Sequence, residues 1–160
     1  MLVKWHVLFG ALFSIVLYFL FNLSLLDSTI IFLASFLIDV DHYFLYVIVR
    51  KDYSIMNANR WILASSEKFD SLPLAKRKRL HQGYFIFHSI EFLIPFFLAS
   101  LMNKYLMLVF IGFIFHIIVD MIYELFFSKR AVYKISIIYT ILTRKFIEYD
   151  YPKTQPLKKL

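Results

Sequence analysis

The feature that most constrains this chain is the occurrence of histidines and aspartates inside long apolar stretches. Apolar residues make up 61% of the 160 residues, well above the share in ordinary soluble domains. The composition therefore predicts a membrane protein, in which an imidazole or carboxylate within a span is costly and is a candidate for function. Six residues meet that description: Asp39, Asp41, His42, His88, His116 and Asp120.

Four stretches are apolar over about 20 residues, which is the length needed to cross a hydrocarbon core of roughly 30 Å. We therefore predict an all-α integral membrane bundle of about four transmembrane helices, forming a single domain. Asp27 with Ser28, and Asn103 with Lys104, have the residue types of tight helical hairpin turns. The predicted helices cover residues 5–26, 28–49, 84–102 and 105–127, with a loop at 50–83 and a tail at 128–160.

Positive charge is concentrated in two of the connecting segments. The loop 50–83 holds eight Lys and Arg residues and the tail 128–160 holds eight more, whereas the two hairpin turns hold only Lys104. The positive-inside rule then predicts a multi-pass protein of the cell membrane, with both termini and the basic loop in the cytoplasm.

A cluster of four basic residues, Lys76 to Arg79, could attract nucleic acid phosphates. Such clusters beside a span more often fix topology and contact anionic lipid head groups. We therefore expect membrane lipids as partners and expect no nucleic acid. The stretch 133–149 mixes isoleucines with basic residues, and it is typical of an amphipathic segment that lies at the membrane interface.

The ionisable residues have the spacing of a ligand set. His116, Asp120 and Glu124 are four residues apart and share a helix face, and Asp39 with His42 and His88 with Glu91 are three apart. Counted at about 1.5 Å per residue from the cytoplasmic ends, all lie in the cytoplasmic half of the predicted bundle. We expect them to converge on one pocket.

The donor types indicate which metal this pocket would suit. Imidazole nitrogen with carboxylate oxygen, in a chain without cysteine, suits a divalent ion such as Zn²⁺ or Mn²⁺. Because the candidate ligands exceed the needs of one tetrahedral ion, we expect two or more ions. The candidate ligands are His6, Asp39, Asp41, His42, His81, His88, His116 and Asp120.

Some roles stay open at this point. Asp39 and Asp41 lie about 200° apart on an ideal helix, so only one can point straight into the pocket unless the helix is distorted. The other would orient an imidazole. His81 lies at the water boundary and could equally be a surface residue. The candidates for proton transfer are the carboxylates Glu91, Glu124 and Asp41.

The order of these motifs resembles the family of membrane-bound metal-dependent hydrolases, YdjM-like. That family has a His near the start of the first helix, a D-x-D-H segment, a segment with His-Arg-Gly and a second His, and a G-x-x-x-H-x-x-x-D helix. Gln82 replaces the family's Arg, and two histidines are seven residues apart rather than five. The matching residues are His6, Gly10, Asp39, Asp41, His42, His81, Gly83, His88, Ser89, Gly112, His116 and Asp120.

The resemblance implies a phospholipase C-like hydrolase that cleaves a phosphoester or related ester, including a lipid ester, by metal-activated water. Intramembrane histidines and aspartates also mark ion pathways, so a divalent-cation or proton-coupled transporter is the alternative. A non-catalytic metal-binding membrane protein and a haem protein ligated by His88 and His116 are the remaining interpretations.

Overall fold

A computed structural model describes residues 3–77, 79–128 and 135–146. These residues are mostly helical, and the only paired strands among them are two residues long. The elements, in chain order, are α1 (Val3–Phe21), α2 (Leu25–Leu37), α3 (Val40–Arg50), α4 (Ile55–Ser71), α5 (Leu74–Arg77), β1 (Leu80–His81), α6 (Ile90–Ser100), α7 (Lys104–Tyr123), a π-helical turn (Glu124–Ser128), α8 (Ile137–Thr143) and β2 (Lys145–Phe146).

Three helical stretches of the described chain are long and apolar enough to cross a membrane: Lys4–Phe21, Leu25–Arg50 and Lys104–Phe126. The predicted start of the third span at residue 84 was wrong. Residues 84–89 form turns instead, and α6 has only eleven residues, a length of about 16 Å. This helix is therefore about half as long as a hydrocarbon core is thick.

The distribution of burial is inverted relative to a soluble protein. Among the described residues, sixteen polar or charged residues are buried, compared with nine hydrophobic ones. Large apolar side chains such as Phe19 (72% exposed) and Leu25 (76% exposed) lie on the outside of the helices. An apolar exterior around a polar interior is the arrangement that lipid favours.

The hairpin turns carry defined caps. Ser24 caps α2 and accepts a hydrogen bond from the Asp27 backbone N–H at 3.1 Å, so this helix begins before the turn residues Asp27 and Ser28 predicted from the sequence. Asn103, in the other predicted turn, caps α7 and accepts from the backbone N–H groups at the start of that helix. The Lys104 ammonium then donates to the Asp27 carboxylate at 2.7 Å, which links the two hairpins.

Two glycines allow α1 and α7 to approach α2 closely. A methyl group at Gly112 would lie 2.7 Å from the Ile31 carbonyl oxygen and 2.6 Å from Ala34 Cβ. At Gly10 it would collide with the hydroxyl of Ser35. Both glycines thus meet the same stretch of α2, and small residues of this kind let membrane helices pack closely.

The second span is interrupted between α2 and α3. Ile38 and Asp39 form a turn, and the Asp39 backbone N–H lies 3.4 Å from the Phe36 carbonyl oxygen rather than continuing the regular helical pattern. The chain resumes as a helix at Val40. This interruption changes the direction in which the following side chains point.

The predicted loop 50–83 contains a seventeen-residue helix, α4. It buries Ala58, Trp61, Ser65 and Phe69, at three- and four-residue intervals, against the rest of the protein. Asp52 connects α3 to α4 by accepting hydrogen bonds from Tyr46 and Asn57. The Tyr46 hydroxyl, with these other donors, holds the pKa of Asp52 below its usual value.

The described part of the tail is residues 135–146. It forms α8, whose outer face exposes Ile138, Ile141 and Leu142, and β2, which pairs in parallel with β1. The apolar outer face is that of the amphipathic element predicted over 133–149. The rest of the predicted tail lies outside the described residues.

Candidate metal centre

Seven of the eight predicted ligands meet near the ends of α1, α2 and α7 that lie away from the hairpin turns, where α3 begins. Three groups of side chains within this cluster bring their potential ligand atoms within 4.8 Å of one another. They come from three helices, α1, α3 and α7, and from two turns, which hold Asp39 and His88. The groups are His6, Asp39 and His116; His88, His116 and Asp120; and Asp39, Asp41 and His42.

His116 is fixed by the interruption of the second span. Its Nδ1 lies 2.8 Å from the Ser35 carbonyl oxygen, which can only accept, so Nδ1 must carry the proton. The turn at Asp39 leaves that carbonyl available, because the Asp39 N–H is directed at Phe36 instead. The lone pair of His116 Nε2 is thereby aimed into the cluster.

Asp41 orients two further histidines. One of its oxygens accepts from His42 Nδ1 at 2.9 Å and the other accepts from His88 Nδ1 at 2.9 Å. With the proton on Nδ1, the Nε2 atom of His88 carries a lone pair that could bind a metal ion. This pattern, in which a carboxylate holds the far nitrogen of a histidine, is common around protein-bound metals.

Three ligand atoms form a nearly equilateral triangle. His88 Nε2 and His116 Nε2 are 3.2 Å apart, and Asp39 Oδ1 lies 3.6 Å from the first and 3.5 Å from the second. Metal–ligand bonds of 2.0–2.2 Å in a tetrahedral Zn²⁺ site put neighbouring ligand atoms ~3.4 Å apart. The triangle therefore fits one face of such a site.

Asp120 joins the triangle to His6. Its Oδ1 lies 3.2 Å from His6 Nε2, and its Oδ2 lies 3.9 Å from His116 Nε2. The His6 and His116 rings stack at a centroid distance of 3.9 Å. Asp120 thus presents one oxygen to each of two histidines, and it would be available to hold a metal ion bound beside either of them.

The interruption also answers the question left open for Asp39 and Asp41. Asp39 belongs to the turn and Asp41 to the first turn of α3, so the ideal-helix separation does not apply. Asp39 faces the Nε2 atoms of His88 and His116, whereas both oxygens of Asp41 are occupied by Nδ1 donors. The geometry favours Asp39 as the direct ligand and Asp41 as the orienting carboxylate.

The most exposed part of the cluster is the corner formed by Asp39 and His42. The side chains of His6, Asp41, His88, His116 and Asp120 are at most 8% exposed, compared with 15% for Asp39 and 18% for His42. His42 stacks on Phe85 at 4.2 Å. Val40, next to Asp39 in sequence, and Tyr84 and Ile86, on either side of Phe85, are exposed and apolar.

His81 lies outside the cluster. It is fully buried in β1, its Nδ1 is 3.3 Å from the Gly83 carbonyl oxygen, and its ring lies against Tyr84. It belongs to none of the ligand groups formed by the described residues. Its prediction as a ligand assumed a continuous helix through His88, and the turns at 84–89 remove that geometry.

The two predicted glutamates take different positions. Glu91 does not share a helix face with His88, because α6 begins at Ile90, and its oxygens accept hydrogen bonds from Ser136, Ile137 and Ile138. It is therefore occupied as a cap for α8. Glu124 is buried one turn beyond Asp120, at the end of α7, and it too is outside the ligand groups of the described residues.

Sequence reasoning missed two contributors to the centre. Ser35 acts through its backbone carbonyl, for which its residue type gives no signal. Phe85 supports the His42 ring and is buried, but it is one of nineteen phenylalanines. The close helix packing does leave a signal in the sequence. Gly10 and Gly112 each lie four residues from a candidate ligand histidine, His6 and His116 respectively, on the side nearer the hairpin turns.

No protein-family model matches the chain, no curated protein is significantly similar to it, and no solved structure matches its fold.

Proposed function

We propose that this protein is a membrane-bound metal-dependent hydrolase that cleaves a phosphoester or related ester of an amphiphilic substrate. Its active centre would hold two or more divalent ions, with Zn²⁺ the favoured ion and Mn²⁺ next. The motif order discussed above supports placing it with the membrane-bound metal-dependent hydrolases. The positive-inside rule supports a cytoplasmic location for the centre and for both termini.

The observation that carries the proposal is the contrast between the two sides of His88 and His116. On the Nδ1 side both rings make hydrogen bonds of 2.8–2.9 Å to acceptors. On the Nε2 side the two nitrogens face each other at 3.2 Å, with Asp39 beside them. Two lone pairs in that position repel unless a proton or a cation lies between them, and the Asp39 carboxylate beside them can supply a third ligand atom for a metal ion.

The roles of the side chains follow from these contacts. Asp39, His88 and His116 would hold one ion, and Asp120 with His6 would hold a second. Asp41 keeps His42 and His88 oriented. Divalent ions in such sites polarise the phosphoryl oxygen and lower the pKa of water at the reacting centre.

Glu124 is the proposed proton acceptor. It is a buried carboxylate at the start of the π-helical turn that follows α7, four residues after Asp120, and general-base catalysis needs such a group close to the reacting water. Glu91 is excluded from this role because its two oxygens already accept three hydrogen bonds from α8 and its cap. Asp41 is occupied in the same way by two imidazoles.

The position of the open corner supports an amphiphilic substrate. Exposed apolar side chains adjoin Asp39 and the Phe85 ring that stacks on His42, and they would lie in lipid if the helices span the membrane. A substrate that arrives from this side must carry an apolar portion. A phosphoester lipid has such an apolar portion, and it also has a cleavable ester at the boundary of the hydrocarbon region.

The test is the metal content of the detergent-purified protein, measured by elemental mass spectrometry. Wild type should hold two or more zinc or manganese ions per chain, and His116→Ala and Asp120→Asn should lose them while remaining helical. Asp27→Asn is the matched control, since it alters a buried aspartate of the same bundle outside the cluster. Folded wild type without stoichiometric metal, even after reconstitution with Zn²⁺ or Mn²⁺, would exclude the proposal.

One observation favours the second candidate, a divalent-cation transporter. The interrupted helix at Ile38–Asp39 lies within a span, and broken helices often form ion sites in transporters. A flux assay in vesicles separates the two functions, because a transporter moves the ion across the bilayer and a hydrolase retains it. The haem interpretation is disfavoured, since the facing nitrogens of His88 and His116 are 3.2 Å apart and leave no space for a macrocycle.

A further inference from the structure

His88, like Asp39, is not held by a regular helix. It lies in the turns 84–89, one residue before the Ser89 cap of α6. Asp41 orients its ring, but the backbone of this turn needs support from elsewhere. That support comes from the segment 135–146, which contacts the chain on both sides of the turn.

The first contact is made just after His88. The Ile90 backbone N–H donates to the Ile135 carbonyl oxygen at 2.7 Å. The Glu91 carboxylate accepts from the Ser136 hydroxyl at 2.5 Å and from two backbone N–H groups of α8, those of Ile137 and Ile138, at 3.2 and 3.1 Å. Two consecutive residues of α6 are thus bound to the start of α8.

The second contact is made just before the turn. The Lys145 N–H donates to the Arg79 carbonyl oxygen at 3.0 Å, and β2 pairs with β1. Arg144 Nη1 lies 3.3 and 3.4 Å from the carbonyl oxygens of Arg77 and Leu80. The segment 135–146, called the strap below, is therefore attached to the chain on both sides of His88.

We propose that Glu91 is a positioning residue that fixes His88 through this strap and so determines how tightly the centre binds metal. The inference rests on the proposed metal centre. It gives Glu91 a function different from the catalytic one predicted from its spacing: the carboxylate acts on the backbone of the turn and leaves proton transfer to other groups. Outer groups that hold metal ligands in place are typically worth 10–100-fold in metal affinity.

The experiment is a zinc titration of the full-length protein against a chromogenic chelator. Glu91→Ala and Ser136→Ala should each weaken zinc binding by about 10–100-fold, and the double variant should be no weaker than the Glu91 variant alone, because both changes release the same attachment. Glu91→Gln, which keeps one acceptor oxygen, should lie between wild type and Glu91→Ala. Glu67→Ala, at an exposed position of α4, is the control and should bind as wild type does.

A second readout separates positioning from a catalytic role. Hydrogen exchange of the backbone amides at 84–90 should accelerate in the metal-free Glu91→Ala and Ser136→Ala proteins and stay unchanged in α7. A catalytic Glu91 would instead lose turnover with unchanged zinc affinity and exchange, and Ser136→Ala would be silent. Unchanged affinity in folded variants overturns this inference alone, whereas wild type that binds no zinc overturns the proposed metal centre as well.

Discussion

At the hairpin end of the bundle Asp27 forms an ion pair with Lys104 at 2.7 Å, whereas at the other end three aspartates are surrounded by four histidines. The ion pair at the hairpin end is balanced, with one cation for one carboxylate, and the Lys104 side chain is 64% exposed. The histidine end is buried, and its charges balance only if protons or metal ions are added.

The difference teaches how the function of a buried polar group can be recognised. A structural pair needs one short contact between opposite charges, and the Asp27 pair has it. In the cluster the short contacts, 2.8–2.9 Å, lie at the Nδ1 atoms of the histidines, while the Nε2 atoms and Asp39 converge at 3.2–3.6 Å. Hydrogen bonds orient the groups, and the convergent atoms are left for a ligand.

The largest effect should come from Asp39, whose Oδ1 lies 3.6 and 3.5 Å from the two Nε2 atoms of the triangle. Asp39→Asn should lower zinc affinity by more than about 100-fold, and Asp41→Asn, which changes an orienting group, by about 10–100-fold. A chelator competition titration measures both. Equal losses in the two variants, or a larger loss for Asp41→Asn, would show that the assignment of ligand and orienting residue is reversed.

The next effect concerns the glycines between the two ends. Gly112→Ala pushes a methyl group against the α2 backbone, so we expect a loss of about 1–3 kcal/mol in the free energy of unfolding, together with weaker zinc binding. Gly10→Ala meets only the Ser35 side chain. Ser35→Ala should therefore rescue Gly10→Ala but not Gly112→Ala, as measured by thermal unfolding in detergent. Rescue of both would contradict backbone contact at Gly112.

His81 tests whether the cluster ends where the structure indicates. Its substitution by Gln should leave zinc content unchanged. Burial, with the nearby Arg144 charge, lowers the pKa of His81, so the unfolded chain binds the proton more readily below pH 6.5. Wild type should thus lose stability relative to His81→Gln as the pH falls through that range. A loss of zinc in the variant would return His81 to the ligand set.

The smallest effect is expected at the hairpin end. Lys104→Met should leave zinc content unchanged and lower the unfolding temperature only slightly, because Lys104 is mostly exposed and such pairs are weak. The difference from wild type should shrink at high salt, where exposed charges are screened. A change in zinc content would show that the two ends of the bundle are coupled.

The sequence was sufficient to predict the elements that depend on composition. Hydropathy over 20 residues identified α1, the α2–α3 stretch and α7, and matched depth predicted that His6, His116 and Asp120 would meet. The helix α4 was missed because its apolar residues are spaced for one buried face rather than for a span. Its buried residues do recur at helical intervals, so that signal was present.

Features that depend on tertiary contacts could not be predicted. The turn at Ile38–Asp39 contains no Pro or Gly, and nothing local specifies it. The partner of Glu91 lies more than 40 residues away, so its i+3 spacing from His88 was misleading. Spacing identifies neighbouring side chains only where a helix is continuous. The turn at Ile38–Asp39 and the misassigned partner of Glu91 both occur where a predicted helix was interrupted.

The division of the ligands between the two hairpins bears on how the protein matures. The triangle needs Asp39 from the first hairpin, His116 from the second and His88 from the turn that precedes it. A nascent chain that has inserted only its first hairpin cannot complete this face. If the site binds metal, binding would then follow insertion of the whole bundle. A partly synthesised chain would hold no metal at this site, and metal bound there would indicate that insertion is complete.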